Sequence, residues 1–294
     1  IQAVSSFEID VTFVGPEGPL AAGIADQFNE IGLKIIGPQK GAAKLESSKA
    51  FSKNLMLENG ISTSQAETFD SFEQATLYLK DCPIPIVIKA DGLAAGKGVF
   101  VCDTREKANK ALSDIMVDRI FGDAGKIVLV EQFLSGREVS VFAFTDGVSV
   151  SSLVAACDYK RAFDGDLGPN TGGMGSYSPP EFWTEDLADS VSSEIIEPIV
   201  SALAKQGIPY KGILYAGLML TEEGPQVIEF NCRLGDPETQ AILPRLSSSL
   251  MEVAMATIDG TMKETLVDWS DESCVAVVLA SSGYPGKYKV GYPI

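Results

Sequence analysis

A short apolar run, Ile84-Pro-Ile-Val-Ile-Lys89, passes into Asp91-Gly-Leu-Ala-Ala-Gly-Lys-Gly98 and then into a second apolar run, Val99-Phe-Val-Cys102. Each run has strand length and ends in glycines or other turn formers. The chain therefore holds two strands joined by a glycine-rich loop with no helix between them. That excludes a Walker-type P-loop, which runs from strand to helix. The spacing from Gly92 to Gly96-Lys97 is also one residue short, and Gly98 stands where a metal-binding Ser or Thr is needed. A strand–loop–strand unit can instead close over phosphates, with backbone N–H groups as donors and small residues allowing close approach. Lys89, at the end of the incoming strand, can reach a phosphate oxygen. An ordinary hairpin with a surface lysine gives the same local pattern.

The rest of the chain alternates in the manner of an α/β protein. Ile9–Val14 reads as a strand, Leu20–Ile31 as a helix and Leu33–Ile36 as a short strand. Ser47–Lys53 leads into a helix ending near Gly60. Thr104–Met116 is helical, with Thr104 as its N-cap. Ile127–Phe133 and Arg137–Phe144 are strands, and Asp146-Gly147 turns into a strand Val148–Val154. Asp158–Pro180 reads as one long loop. Leu187, Val191, Ile195, Ile199 and Leu203 mark a long amphipathic helix. Ile213–Leu220 and Gln226–Phe230 form a hairpin, Leu243–Ile258 a helix, and Cys274–Leu279 a further strand.

The 294 residues are 45% hydrophobic and 21% charged, a globular composition with length for about two domains. The formal net charge of −17 disfavours nucleic acid as a partner. No apolar run suits a bilayer, and no signal peptide opens the chain. The five cysteines form no C-x-x-C pair, which points to a reducing cytoplasm. The absence of histidine excludes His-based acid–base catalysis and His metal ligands. Chemistry must come from carboxylates, amides, Lys, Arg and bound metal. Ile1 is not an initiator residue and the sequence stops at Gly-Tyr-Pro-Ile294, so we expect a piece of a longer protein.

Val227-Ile-Glu-Phe-Asn231 carries the sharpest chemical signal. Side chains at i and i+2 on a strand share a face, so Glu229 and Asn231 point together while Ile228 and Phe230 pack on the other side. A carboxylate beside an amide oxygen suits Mg²⁺, which takes few protein ligands and completes its shell with phosphate and water. A solvated sheet face would tolerate the same residues. Arg233 and Asp236 follow just beyond the strand. Val130-Glu131-Gln132-Phe133-Leu134 can offer backbone groups to an adenine edge and apolar walls to its faces, with Glu138 placed to accept from ribose hydroxyls. Lys160 and Arg161, with Asn170 and Thr171 among the glycines of Gly168–Gly175, can meet phosphate charge, and a flexible surface loop gives the same pattern.

Five strings occur together and in order: Val14-Gly-Pro-Glu17, Ser48-Lys-Ala-Phe51, Ile88-Lys-Ala-Asp-Gly-Leu-Ala-Ala-Gly-Lys-Gly98, Gly168-Pro-Asn-Thr-Gly-Gly-Met-Gly175, and Ile228-Glu-Phe-Asn-Cys-Arg233 with Gly235-Asp-Pro-Glu238. As a set they resemble the ATP-grasp superfamily and, within it, the glycinamide ribonucleotide synthetase (phosphoribosylamine–glycine ligase) family. The resemblance implies an α/β (α+β) ATP-grasp fold of two α/β subdomains, preceded by part of a Rossmann-like N-terminal domain. The implied boundaries are 1–46 for that partial domain, 47–262 for the ATP-grasp domain with a mobile lid at about 62–133, and 263–294 for the start of a truncated C-terminal domain. It implies that Lys49, Lys89, Gly96, Glu131, Gln132, Phe133, Leu134, Glu138, Arg161 and Asn170 bind ATP. Glu229 and Asn231 would hold Mg²⁺ or Mn²⁺, and Arg161, Arg233 and Asp236 would serve catalysis. The implied substrates are glycine, 5-phosphoribosylamine and ATP, joined through glycyl phosphate by a cytoplasmic enzyme expected to be a monomer. Three departures bear on turnover: the family's usual opening glycine-rich segment is not in this sequence, its C-terminal domain is cut short after Tyr284-Pro-Gly286, and Tyr159 stands where the family commonly has histidine. Another ATP-grasp carboxylate–amine ligase, or a nucleotide-binding fragment without turnover, stays open on the sequence alone.

Overall fold

A computed structural model describes residues 1–94, 97–165 and 167–293. Near the start, β1 (Thr12–Phe13) and β2 (Ile35–Ile36) pair in parallel. The expected helix from Leu20 to Ile31 is two helices, Glu17–Ala22 and Ile24–Glu30. Gly23 separates them at φ 90°, a left-handed position that glycine adopts at little cost.

The next unit is a four-stranded sheet built from β3 (Ala66–Phe69), β4 (Ile86–Ala90), β5 (Val99–Cys102) and β6 (Val128–Gln132), in the order β3-β6-β4-β5. Alternation along its two central strands sorts the side chains. Ile86, Ile88, Val128 and Val130 turn to one face, where Ala75, Leu79, Ala108 and Leu112 from the helices Phe72–Leu79 and Arg105–Leu112 cover them. Lys89 and Glu131 take the opposite face. Thr104 caps its helix as expected, its Oγ1 accepting from Lys107 N at 3.3 Å.

A six-stranded antiparallel sheet follows. Its strands are β7 (Arg137–Thr145), β8 (Val154–Asp158), β11 (Gly175–Ser178), β12 (Gly212–Thr221), β13 (Gly224–Asn231) and β14 (Cys274–Val277), in the order β13-β12-β7-β8-β11-β14. Val139, Val141, Leu214, Ala216, Leu218 and Phe230 face the main core, packed with the helices Lys49–Glu58 and Glu197–Lys205. The other face carries Glu138, Ser140, Tyr215, Gly217, Glu229 and Asn231.

Several expected elements differ. Asp158–Pro180 is not a single loop: β9 (Arg161–Phe163) and β10 (Leu167–Asn170) form a separate small hairpin before β11. Most of its residues are exposed, so no buried face imposes the apolar alternation by which a strand is read. Val148–Leu153 forms no strand beyond a single bridge from Val150 to Thr145. Asp146 Oδ1 accepts from Val148 N (3.0 Å) and Ser149 N (2.8 Å) and holds a turn there. β8 starts only at Val154. The expected helix at Leu243 is a single 3₁₀ turn, Leu243–Arg245, and the true helix Leu250–Asp259 starts from a new N-cap, Ser249. The long helix near Leu187–Leu203 contains a π-helical turn at Ser192–Ile196.

Candidate active site

A cleft of about 690 Å³, its open mouth included, lies between the Lys89–Glu131 face of the four-stranded sheet, β13 of the six-stranded sheet and the helices Lys44–Ser47 and Lys49–Glu58. Its walls bring Lys49, Lys89 and Glu131 together with Glu229, Asn231 and Arg233.

Glu229 and Asn231 lie on β13, opposite Gly217 and Tyr215 of β12. Both therefore face the cleft, as their spacing predicts. Phe230 points away and is buried in the core, also as predicted. Ile228 differs from expectation. The ladder shifts register between Gly217 and Leu218, leaving Ile228 as an extra, unpaired residue that lines the cleft. The bulge frees its carbonyl oxygen, which accepts from Lys89 Nζ at 3.1 Å.

Lys89 Nζ also donates to Glu131 Oε2 at 2.8 Å. Burial pushes the Glu131 carboxyl up, but Lys89 and Lys53 outweigh it and leave the group below its usual range. The Glu131 side chain is thus committed to lysines within the protein. Lys53 approaches it at 3.6 Å, and burial brings Lys53 down to about 8 against the pull of Glu131. Sequence reasoning passed over Lys53. The signal was available: it stands four residues after Lys49, beside Ser52, Leu55 and Met56, on the buried face of the helix.

Arg233 ties the site strand to the first residues of the chain. Its Nε meets Glu17 Oε2 at 3.1 Å, and its Nη2 meets Glu46 Oε1 at 3.2 Å. Burial raises Glu46 to about 6 despite Arg233. Asp236 is exposed and accepts from Gln240 Nε2 at 2.8 Å, outside the cleft wall. The buried carboxylate of that turn is Glu238, which sequence reasoning did not select. Its Oε1 accepts from Tyr215 OH (2.9 Å) and Ser140 Oγ (3.1 Å) under the polar face.

Gln132, Phe133, Leu134 and Glu138 continue from Glu131 toward β7 and lie outside the cleft wall. Glu138 meets Lys160 at 3.2 Å. Lys160 reaches Asp158 at 3.8 Å, where burial, stronger than the pull of Lys160, lifts the carboxyl to about 6. Arg161 and Asn170 pair across the β9–β10 hairpin, and Arg161 Nη1 donates to Gly168 O at 2.7 Å. Gly96 lies outside the described residues.

The donor set suits a magnesium polyphosphate. One carboxylate and one amide oxygen share a strand face, and two lysines stand across from them. Ser52 Oγ, buried in the cleft wall, has no hydrogen-bond partner among the described residues. Among those residues no group of three or more His, Cys, Asp or Glu is gathered for a metal, so an ion here would need oxygens from its ligand.

A four-stranded sheet facing a larger antiparallel sheet across a cleft of this kind defines an ATP-grasp protein. The biotin carboxylase domain of the Hydrogenobacter thermophilus 2-oxoglutarate carboxylase shares the fold at TM-score 0.70 and 17% identity, covering 93% of this chain and 59% of that one. The chain belongs to the phosphoribosylglycinamide synthetase family, whose N domain matches residues 1–46 and whose ATP-grasp (A) domain matches residues 47–239. A phosphoribosylamine–glycine ligase of Caldanaerobacter subterraneus subsp. tengcongensis is 50% identical over 287 residues, spanning 98% of this chain and 69% of its own length. The Thermotoga maritima phosphoribosylamine–glycine ligase structure superposes at TM-score 0.81 with 35% identity, over 87% of this chain and 64% of that one. Family membership makes the chain part of an ATP-dependent ligase. Among the described residues no helix is long and apolar enough to cross a membrane.

Proposed function

We propose that this chain binds ATP with a divalent metal in the cleft and joins glycine to 5-phosphoribosylamine, releasing ADP and phosphate. One observation carries the reading: Glu229 and Asn231 share a strand face in the same cleft as Lys89 and Lys49. Glu229 and Asn231 would hold Mg²⁺ or Mn²⁺, which when bound neutralises phosphate charge. Lys89 and Lys49 would orient the phosphates, and Gln132, Phe133 and Leu134 the base. Arg161 and Asn170, on the exposed β9–β10 hairpin, would meet the phosphate end.

In the first step the glycine carboxylate takes the γ-phosphoryl group, giving glycyl phosphate and ADP. In the second, the amine of phosphoribosylamine attacks the glycyl carbonyl carbon, the bond to phosphate breaks, and the amine loses a proton. Such transfer needs positioning and charge neutralisation more than a protein nucleophile, so a chain without histidine can perform it. The five free cysteines support a reducing, cytoplasmic setting. The test is ADP release. Release that requires both glycine and phosphoribosylamine supports the reading. Release driven by bicarbonate or another carboxylate instead, or nucleotide binding without product, overturns it.

A further inference from the structure

Lys53 has no place in the roles assigned above, yet it is among the most constrained cations in the chain. It projects from the helix Lys49–Glu58 into the cleft wall and is only 2% exposed. Burying an ammonium costs free energy unless its donors are used and its charge is met. Here its Nζ donates to Thr63 Oγ1 at 2.7 Å, Ser64 Oγ at 3.0 Å and Ser64 O at 3.1 Å. Thr63 Oγ1 donates onward to Val227 O at 2.7 Å, and Ser64 Oγ to Glu131 Oε2 at 3.0 Å. These partners tie the segment between the helix Lys49–Glu58 and β3 to β13 and to β6 of the four-stranded sheet. Residues 63–64 lead into β3, and Glu131 lies near the end of β6.

Charge balance gives the arrangement a purpose. Lys89 and Glu131 alone form a neutral closed pair, which offers little to an anion. With Lys53 on the far side of the carboxylate, the group carries one net positive charge. That charge faces a cleft in a chain whose net charge is −17. The same cleft wall carries Glu17, Glu46 and Glu229 against Lys49 and Arg233, so with Lys53 the wall is balanced and without it the wall would be net negative toward an anion.

We propose that Lys53 is a positioning residue for nucleotide binding: it holds Glu131 and the segment entering β3, and by neutralising Glu131 it leaves the charge of Lys89 available to a polyphosphate. The inference rests on the nucleotide reading of the cleft. A lysine serving the core alone would affect folding without distinguishing one ligand from another.

The test is calorimetric titration of the wild-type chain, Lys53→Met and Lys53→Arg with Mg²⁺ and a non-hydrolysable ATP analogue, with adenosine as the phosphate-free control and thermal melts alongside. Lys53→Met is expected to weaken the analogue about tenfold while adenosine affinity stays unchanged, and Lys53→Arg to restore most of the loss. If Lys53→Met does not fold, Lys53→Gln keeps an N–H donor without the charge and carries the same expectation. Equal analogue affinity in wild type and the neutral variants overturns the inference and leaves the nucleotide reading standing. Parallel loss for analogue and adenosine also overturns it. A wild-type chain that binds no nucleotide overturns both.

Discussion

Lys89 and Glu131 lie diagonally across β4 and β6, and their side chains meet at 2.8 Å on the cleft face of the four-stranded sheet. Both are nearly inaccessible to water, so the pair is held by mutual attraction and by Ser64, Lys53 and Ile228 around it. Removing one member of such a group leaves its partners with buried, uncompensated charge. Glu131→Gln should therefore lower stability by about 3–5 kcal/mol, because two buried ammonium groups lose their shared counter-charge. Urea unfolding of the two chains measures this. A loss below about 1 kcal/mol would mean that water reaches the lysines freely.

Glu229 supplies the only carboxylate of the Glu229–Asn231 pair. Glu229→Gln keeps the shape of the side chain and its place on β13 but removes the charge that would hold a divalent ion. ADP release at saturating substrates should fall about 100-fold or more, with partial recovery at high Mg²⁺. Stability should change little, since Glu229 is only half-buried and forms no ion pair among the described residues. Undiminished turnover would remove the metal assignment.

Asp158 gives a pH prediction. Its carboxyl is lifted from 3.8 to about 6 by burial, against the pull of Lys160 and with Glu238 and Glu138 nearby. A group whose folded pKa is raised stabilises the fold at low pH, and that contribution is lost as pH rises through the folded value. The loss should therefore develop between about pH 4 and pH 6 and stay complete above. Asp158→Asn is neutral throughout and does not suffer it. Melting curves should show the variant gaining on the wild type from pH 4 to pH 6, by up to about 3 kcal/mol, with a constant difference at higher pH. A difference that does not change with pH would contradict the burial of this carboxyl.

Gly173 sits at φ 125°, and a Cβ there would run into Pro237 Cδ. Gly173→Ala is strained by both conformation and space. It should displace the segment between Lys160 and Gly175 and cost about 1–3 kcal/mol. Nucleotide affinity should fall with it. Thermal melts and analogue titration read the two effects separately.

The sequence was most legible where one strand face had to serve two environments. Glu229 and Asn231 on one side and Phe230 on the other follow from period-two alternation alone. It was least legible where backbone irregularity set the geometry. The bulge at Ile228 leaves no mark in residue type, yet it turns a carbonyl toward Lys89. The β9–β10 hairpin has no buried face to impose a pattern. Lys53, Ser64 and Glu238 gain their partners from segments 10 to 98 residues away in sequence, distances at which local reading carries no information. The assignment to the ligase family came through the ordered set of motifs, and the comparisons agree with it.

The most direct measurement is a crystal structure of the chain with Mn²⁺ and a non-hydrolysable ATP analogue, using anomalous scattering to locate the metal. The account predicts a manganese peak within coordination distance of the Glu229 carboxylate and the Asn231 amide oxygen, bridged to the analogue's phosphates, with Lys89 turned toward them. A metal and polyphosphate bound elsewhere, with Glu229 and Asn231 left without either, would contradict it.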